Sequence, residues 1–297
     1  MKRLTFLLCL NVLFASAQTT KDSLALAHAP WKTETLAKGV IWKYAHFQQK
    51  ELFEANQSIN IVEVSRKSRK FVWEIITADS LNKRDKKRGQ LRKTSQLAQE
   101  NDAFVAINGG FFDVKNGGSV DFIKINNQTP DTTRALKGSK AAFHGQAGIA
   151  VDKKNFQILR GEPLVGWEYL LPYNNIMLSG PLLRWENKDE VLQKNAFNDN
   201  RHPRSCVCTT QSGKTLLITV DGRSAESYGM NLSELTFLTR QLGCSSALNL
   251  DGGGSTTLWL KEKGVVNYPS DNKKFDHKGE RSVSNALILK LLTRKNK

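Results

Sequence analysis

Past its first residues, the 297-residue chain has no apolar run approaching the roughly 18 residues that cross a bilayer. Linker-like and low-complexity stretches are missing and no internal repeat is visible, so tethered modules and solenoids are excluded. Histidine is scarce, five scattered residues, which removes the clustered imidazoles of a metal hydrolase. No G-x-S-x-G elbow is present, so the usual serine-hydrolase geometry is out. The one conspicuous glycine run, Asp251-Gly252-Gly253-Gly254, lacks the lysine of a P-loop and the spacing of a dinucleotide fingerprint. Cysteine is sparse too: Cys9 lies in the N-terminal apolar segment, leaving Cys206, Cys208 and Cys244. An odd number leaves at least one thiol free or paired with another chain. Cys206 and Cys208 share one face of a strand, and a zinc site would need a fourth ligand that is not evident. They read as small buried apolar residues, with one bridge to Cys244 as the alternative.

What is present begins with MKRLTFLLCLNVLFASAQ. Lys2 and Arg3 precede an apolar stretch from Leu4 to Phe14 and an A-x-A site at residues 15–17, the pattern of a cleaved export signal. Cys9 lacks the small residues that precede a lipidated cysteine. The expected organisation is a signal peptide (1–17), an N-terminal extension (18–38), a domain (39–293) and a basic tail (294–297). The expected location is periplasmic or secreted, without stable membrane insertion. Acids are outnumbered, 28 against 44 Lys and Arg, for a formal charge of +16; loss of Lys2 and Arg3 lowers it to +14. Much of the excess lies between Arg66 and Lys93. It reads as a solvated basic face or as attraction to anionic polymers or surfaces. Nucleic acid is the weaker partner, because aromatics are not interleaved with the basic runs.

Strand-like runs, β-branched and aromatic, occupy 39–47, 58–66 and 70–78, with the last two predicted to form a hairpin around RKSRK. Residues 93–101 predict a short helix capped by Thr94 or Ser95. Another hairpin is predicted over 147–161, and strands continue through 175–190 and 205–223. NLSELTFLTRQLG (231–243) predicts the convincing longer helix: Asn231 and Glu234 form a capping box, Leu232, Leu235, Leu238 and Leu242 make a stripe, and Gly243 follows. The fold class is α+β: a mixed, largely antiparallel sheet core with a few flanking helices in a single domain.

Three apolar strands end in a polar residue and glycine: Asn108-Gly109-Gly110, Asp221-Gly222-Arg223 and Asp251-Gly252-Gly253-Gly254. Singly, each reads as a turn. Together they put side chains on rigid strand ends where glycine admits a ligand. Backbone N–H groups of the glycine run, beside Ser255 and Thr256, form a candidate anion nest. Arg204, Arg223 and Arg281 are candidate forked donors to phosphate, though each alone is as readily a surface arginine. His202 is a possible acid–base group or a turn histidine. Asp113, Asp221 and Asp251 all sit in glycine-rich motifs, and paired carboxylates are what glycoside hydrolysis uses.

With NGGFFD, LSGP, HPR, VDGR, LNLDGGGST and NYPSD…ERSVSNA in this order, the sequence resembles the phosphodiester glycosidase family from about Thr94 to Leu289. The resemblance implies hydrolysis of a sugar-1-phosphodiester, of α-N-acetylglucosamine type, to free sugar and phosphomonoester. No cofactor and no bound metal are expected, since the histidines and cysteines make no ligand set. The resemblance implies motif positions at Asn108, Arg204, Asp221, Arg223, Asp251, Gly252 to Ser255 and Arg281. On that basis Asp221 and Asp251 are expected to carry bond cleavage and Asn108 to orient the sugar or an acid. Arg204, Arg223, Arg281 and Gly252, Gly253, Gly254 and Ser255 are expected to hold the phosphate of a phosphorylated sugar or glycan. SCVC after HPR and the basic stretch before Lys93 depart from the family pattern. The alternative is a non-catalytic protein binding an envelope glycan or an anionic polymer in the same pocket.

Overall fold

The structure, a computed structural model, describes residues 20–68, 70–79, 89–133, 147–152 and 155–292. The expected signal peptide, part of the basic stretch and the expected basic tail lie outside the described residues. Three larger sheets carry the fold, and every pairing within them is antiparallel. The first has eight strands in the order Lys32–Ala37, Val40–Leu52, Ala55–Ser65, Lys214–Val220, Arg204–Thr210, Cys244–Asn249, Leu182–Trp185 and Lys188–Asp189. The second runs Gly264–Val265, Leu258–Leu260, Ala103–Asn108, Asn285–Leu291 and Phe71–Thr77. The third runs Asn155–Arg160, Ala147–Asp152, Ile176–Ser179, Ile123–Ile125 and Gln128–Asp131. The region expected as an N-terminal extension thus supplies the edge strand of the largest sheet.

Alternation along the strands sorts side chains into layers. Val62, Val207, Leu217 and Leu248 of the first sheet meet Val105, Ile107 and Leu287 of the second and Ile149 and Met177 of the third in one core. Their strand neighbours Ile61, Cys206, Cys208, Ile218 and Ala247 point the other way, onto Leu232, Leu235 and Leu238. Those leucines are the stripe of the helix Leu232–Gln241, which therefore covers the outer face of the first sheet. Its start is the expected capping box: Asn231 Oδ1 accepts from Glu234 N at 2.8 Å, and Glu234 Oε2 accepts from Asn231 N at 3.0 Å. The helix Thr94–Glu100 covers the second sheet through Leu97 and Ala98. Glu280, not a local side chain, accepts from Ser95 N at 3.0 Å and from Ser95 Oγ at 2.6 Å near its first turn.

Three expectations are corrected. The N-cap of the helix Thr94–Glu100 is Lys93, whose N donates to Gln96 Oε1 at 3.0 Å, not Thr94 or Ser95. The strands Ala55–Ser65 and Phe71–Thr77 are no hairpin. The former is flanked on both sides by Val40–Leu52 and Lys214–Val220, so no open edge remains, and the latter pairs with Asn285–Leu291 in the second sheet. Alternation fixes which faces are buried but does not name the partner strand. Cys208 and Cys244 form a disulfide between adjacent strands, while Cys206 stays a buried free thiol on the same face. Here the bridge, not simple apolar packing, is what the strand pairing brings about.

Candidate active site

The ends of the first and second sheets converge around Asn108, which is fully buried. Its Nδ2 donates to the Asp251 carbonyl at 2.7 Å, while its Oδ1 accepts from Ser205 Oγ at 2.6 Å and Thr257 N at 3.1 Å. Asp251 N in turn donates to the Gly109 carbonyl at 3.1 Å. Asn108 thus ties three strand ends together and fixes the backbone of Asp251.

Four N–H groups of the glycine run and its flank are taken within the protein, so the run is no open nest of several free donors. Gly252 N donates to Asp251 Oδ1 (3.0 Å), Gly253 N to Pro203 O (2.8 Å), Ser255 N to Gly252 O (3.2 Å) and Thr256 N to Gly253 O (3.2 Å). The glycines are needed because the protein itself approaches them. Gly253 has φ +62°, a left-handed backbone, and a side chain there would meet the Arg223 guanidinium at 2.9 Å. A β-carbon at Gly254 would collide with the Asp271 carboxylate and lie 2.7 Å from Arg281 Nη2. Asp271 and Arg281 form a two-pronged pair, Nε to Oδ2 at 2.8 Å and Nη2 to Oδ1 at 2.7 Å, and Arg281 N donates to Gly254 O at 3.3 Å.

The other predicted site residues divide by how far their polar groups are already occupied. Asp221 is fully buried: Oδ2 accepts from Ser58 Oγ at 2.7 Å, and Oδ1 from Asn267 Nδ2 at 3.0 Å and Tyr268 N at 2.8 Å. Burial raises its pKa, against the three donors that lower it. Arg204 is equally enclosed; Nε donates to Met230 O, and Nη2 to Phe197 O and Asn200 O. Its guanidinium lies over the Phe197 ring, and burial brings its pKa down to about 10. Arg223 is exposed, adopts φ +64°, and makes no hydrogen bond or ion pair with a described residue. His202, beside Arg204 and Arg223, has its pKa lowered by partial burial and by those two charges, which favours the neutral ring. Asp113, in the same motif as Asn108, is a loop residue whose carboxylate accepts from Lys115 N, Asn116 N and Asn116 Nδ2.

Asp251 is half-buried at the mouth of this arrangement. Burial raises its pKa to about 6, opposed by the nearby Ser255 hydroxyl, Arg281, the Gly252 N–H and Arg223. Ser255 Oγ is buried and lacks a hydrogen bond of ordinary geometry. Close to Asp251 lies a residue that motif reading missed, Asp121. It is fully buried, neither carboxyl oxygen has a hydrogen-bond partner among the described residues, and burial, followed by the Asp251 charge, pushes its pKa up to about 8. The available signal was an acid inside the apolar run Val120-Asp121-Phe122-Ile123, where only a special reason keeps a carboxyl. Among the described residues no group of three or more His, Cys, Asp or Glu is placed to hold a metal, and no helix is long and apolar enough to cross a membrane. A cavity of about 370 Å³ lined by Trp73, Phe156 and Trp185 lies at the opposite ends of the strands, near Thr209, Thr215 and Ser246, and is remote from this chemistry.

A family model described as phosphodiester glycosidase matches residues 101–290. Over 180 residues the chain is 27% identical to N-acetylglucosamine-1-phosphodiester alpha-N-acetylglucosaminidase of Mus musculus, covering 57% of this chain and 34% of that protein. The chain thus spans about a third of that curated relative. Among solved structures, the zebrafish N-acetylglucosamine-1-phosphodiester alpha-N-acetylglucosaminidase catalytic domain, auto-inhibited by its pro-peptide, superposes with a TM-score of 0.65 at 18% identity, covering 89% of this chain and 85% of that one. A hypothetical protein from Synechocystis superposes with a TM-score of 0.63 at 17% identity, covering 89% and 64%. These two likenesses concern the fold. The family match, which includes Asn108, Asp121, Arg204, Asp221, Arg223, Asp251 and Arg281, spans more than half of the chain, and the chain belongs to the phosphodiester glycosidase family.

Proposed function

We propose that the protein is an exported hydrolase of sugar-1-phosphodiesters, of the α-N-acetylglucosamine-1-phosphodiester type, releasing free sugar and a phosphomonoester. The observation that carries this reading is the half-buried Asp251 carboxyl near the exposed guanidinium of Arg223, which makes no hydrogen bond or ion pair with a described residue. A carboxyl with a pKa of about 6 is ionised at neutral pH yet basic enough to take a proton in the transition state. Arg223 supplies the forked donor that a phosphodiester oxygen takes up. The leaving phosphomonoester has a second pKa near 6, so it departs without a strong general acid.

In the proposed step, a water oxygen bonds to the anomeric carbon and its proton passes to Asp251. The bond from that carbon to the phosphate oxygen breaks, and its electron pair leaves with the phosphate, whose added charge Arg223 offsets. Asn108 acts through the Asp251 main chain, fixing where the carboxyl stands. Arg281, anchored by Asp271, biases the Asp251 charge while holding the glycine loop. Ser255, whose buried Oγ has no hydrogen-bond partner among the described residues, stands beside the same carboxyl. Asp221 and Arg204 act one layer back, the former by holding the 267–268 segment and the latter by holding the carbonyls around Phe197 and Met230. Export rests on the Lys2-Arg3, apolar and A-x-A pattern of residues 1–17.

The test uses the chain from Gln18 onward with UDP-N-acetylglucosamine. Wild type should release free N-acetylglucosamine, and Asp251→Asn, folded and melting at or above the wild-type temperature, should lose at least ~10³-fold in kcat. Undiminished release by the folded Asp251→Asn protein overturns the assignment. Thermal protection by the ligand with no product from wild type would replace hydrolysis by binding.

A further inference from the structure

Asp121 stands out from the other enclosed carboxylate of the site. Asp221 is surrounded by three donors, whereas neither oxygen of Asp121 has any among the described residues. An enclosed carboxylate without donors is strongly disfavoured in its ionised form, so such a group keeps its proton. Its neighbourhood is also firmly built. Val120 N donates to the Phe111 carbonyl, Ser119 Oγ to the same carbonyl, and Leu178 N to the Phe122 carbonyl. The segment 109–112 that receives Val120 also receives Asp251 N, at the Gly109 carbonyl, and Ser179 Oγ donates to the Asn249 carbonyl. Asp121 and Asp251 are thus fastened to the same short stretch from two sides.

Resting on the hydrolytic reading of Asp251, we propose that Asp121 is its positioning residue: the pair carries one proton, held on Asp121, so that a single negative charge, on Asp251, faces the substrate. The charged groups around the pair are Arg281 with its partner Asp271, and Arg223, with His202 beside Arg223. With Asp121 neutral, the two arginines balance Asp251 and Asp271. Loss of the Asp121 proton makes the site net negative, and an anionic phosphodiester is then repelled. The acid therefore sets an upper pH boundary on binding that an amide in its place would not.

The phosphodiester group does not titrate between about pH 4 and 10, so both limbs of a kcat/KM profile report the enzyme. Wild type should show an acid limb near 6 from Asp251 and an alkaline limb near 8 from Asp121, the latter entering through KM. Asp121→Asn should keep the acid limb and lose the alkaline one. A folded Asp121→Asn protein with the alkaline limb in place, or one inactive at every pH, overturns the proposal. A second readout needs no turnover and so separates failure of this pairing from failure of the hydrolytic reading. The raised Asp121 pKa means the folded chain binds a proton between about pH 4 and 8 that the unfolded chain has lost, so stability falls as pH rises through that window. Replacing Asp121 by Asn should flatten this slope and raise Tm at pH 8 by roughly 5 °C or more. In Asp251→Asn the wild-type inflection should move to lower pH, because the neighbouring charge is gone. Equal slopes in wild type and Asp121→Asn would show that Asp121 does not hold the proton.

Discussion

Asp221 and Asp251 follow two strands of the same sheet, each before a glycine, and differ in what surrounds the carboxyl. At Asp221 the loop from Asn267 to Tyr268 folds back and delivers two donors, and Ser58 from the neighbouring strand supplies a third. At Asp251 the glycine loop turns away under Pro203, leaving the carboxyl with one backbone donor at ordinary distance, from its own neighbour Gly252, and two guanidinium groups nearby. A carboxylate whose lone pairs are occupied by the protein is a building element, and one left half-open among cations can act on a substrate. The motif places the acid; the donors around it decide its task.

The largest effect should come from breaking the closed side of this comparison. Asp221→Ala leaves Ser58, Asn267 and the Tyr268 N–H without an acceptor in a fully buried site, a loss of about 3–5 kcal/mol by analogy with other orphaned buried groups. A chemical-denaturation curve should show it, whereas Asp251→Ala, exposed on one side, should unfold close to wild type. If the two alanine variants are equally stable, the distinction drawn between the two carboxyls is wrong.

Next comes the support beneath the open side. Gly254→Ala drives a β-carbon into the Asp271 carboxylate and toward Arg281, where the two-pronged pair offers no slack. The pair must open, the Asp251 loop shifts with it, and misplacement by about an ångström costs on the order of 10²-fold in kcat. Thermal stability should fall by only about 1–3 kcal/mol, the usual range for overpacking. Loss of activity at near-native stability would tie the glycine to the position of Asp251; unaltered activity would show that the loop does not register the carboxyl.

How much of this was legible in sequence depended on whether the signal was local. The helix over 232–241 announces itself, since capping box, leucine stripe and terminal glycine lie within thirteen consecutive residues and depend on no distant partner. The three strand-end motifs likewise come together, through the Asn108–Asp251 bond and the Arg223–Gly253 approach, where the candidate site lies. The glycine run also speaks correctly of close approach, but the approaching groups, Pro203, Arg223 and Asp271, come from elsewhere in the chain. Strand partners, the Cys208–Cys244 bridge and the donors around Asp221 share that property: each is a long-range contact with no mark in the local pattern. Asp121 was hidden for the opposite reason. It carries no motif at all, only the oddity of an acid among apolar neighbours, and its meaning appears once Asp251 is beside it.

The smallest of these effects concerns the exposed cation. Arg223 is held by its own left-handed backbone and by the space above Gly253, with no hydrogen bond that its removal would break. Arg223→Ala should therefore leave Tm within about 1–2 °C of wild type. If Arg223 grips the phosphodiester in ground and transition states alike, KM should rise roughly 10- to 100-fold with kcat nearly constant, the value of one charge-assisted contact. If it acts mainly on charge that develops as the phosphate departs, kcat should fall instead. Arg223→Lys separates the same two cases by geometry, since lysine restores a point charge but not the fork, and rescue of kcat with KM still raised would mean that charge serves the departing phosphate and the fork serves binding. An effect on neither constant would move phosphate recognition away from Arg223, and with it the contrast between a closed Asp221 and an Asp251 opened toward a cation.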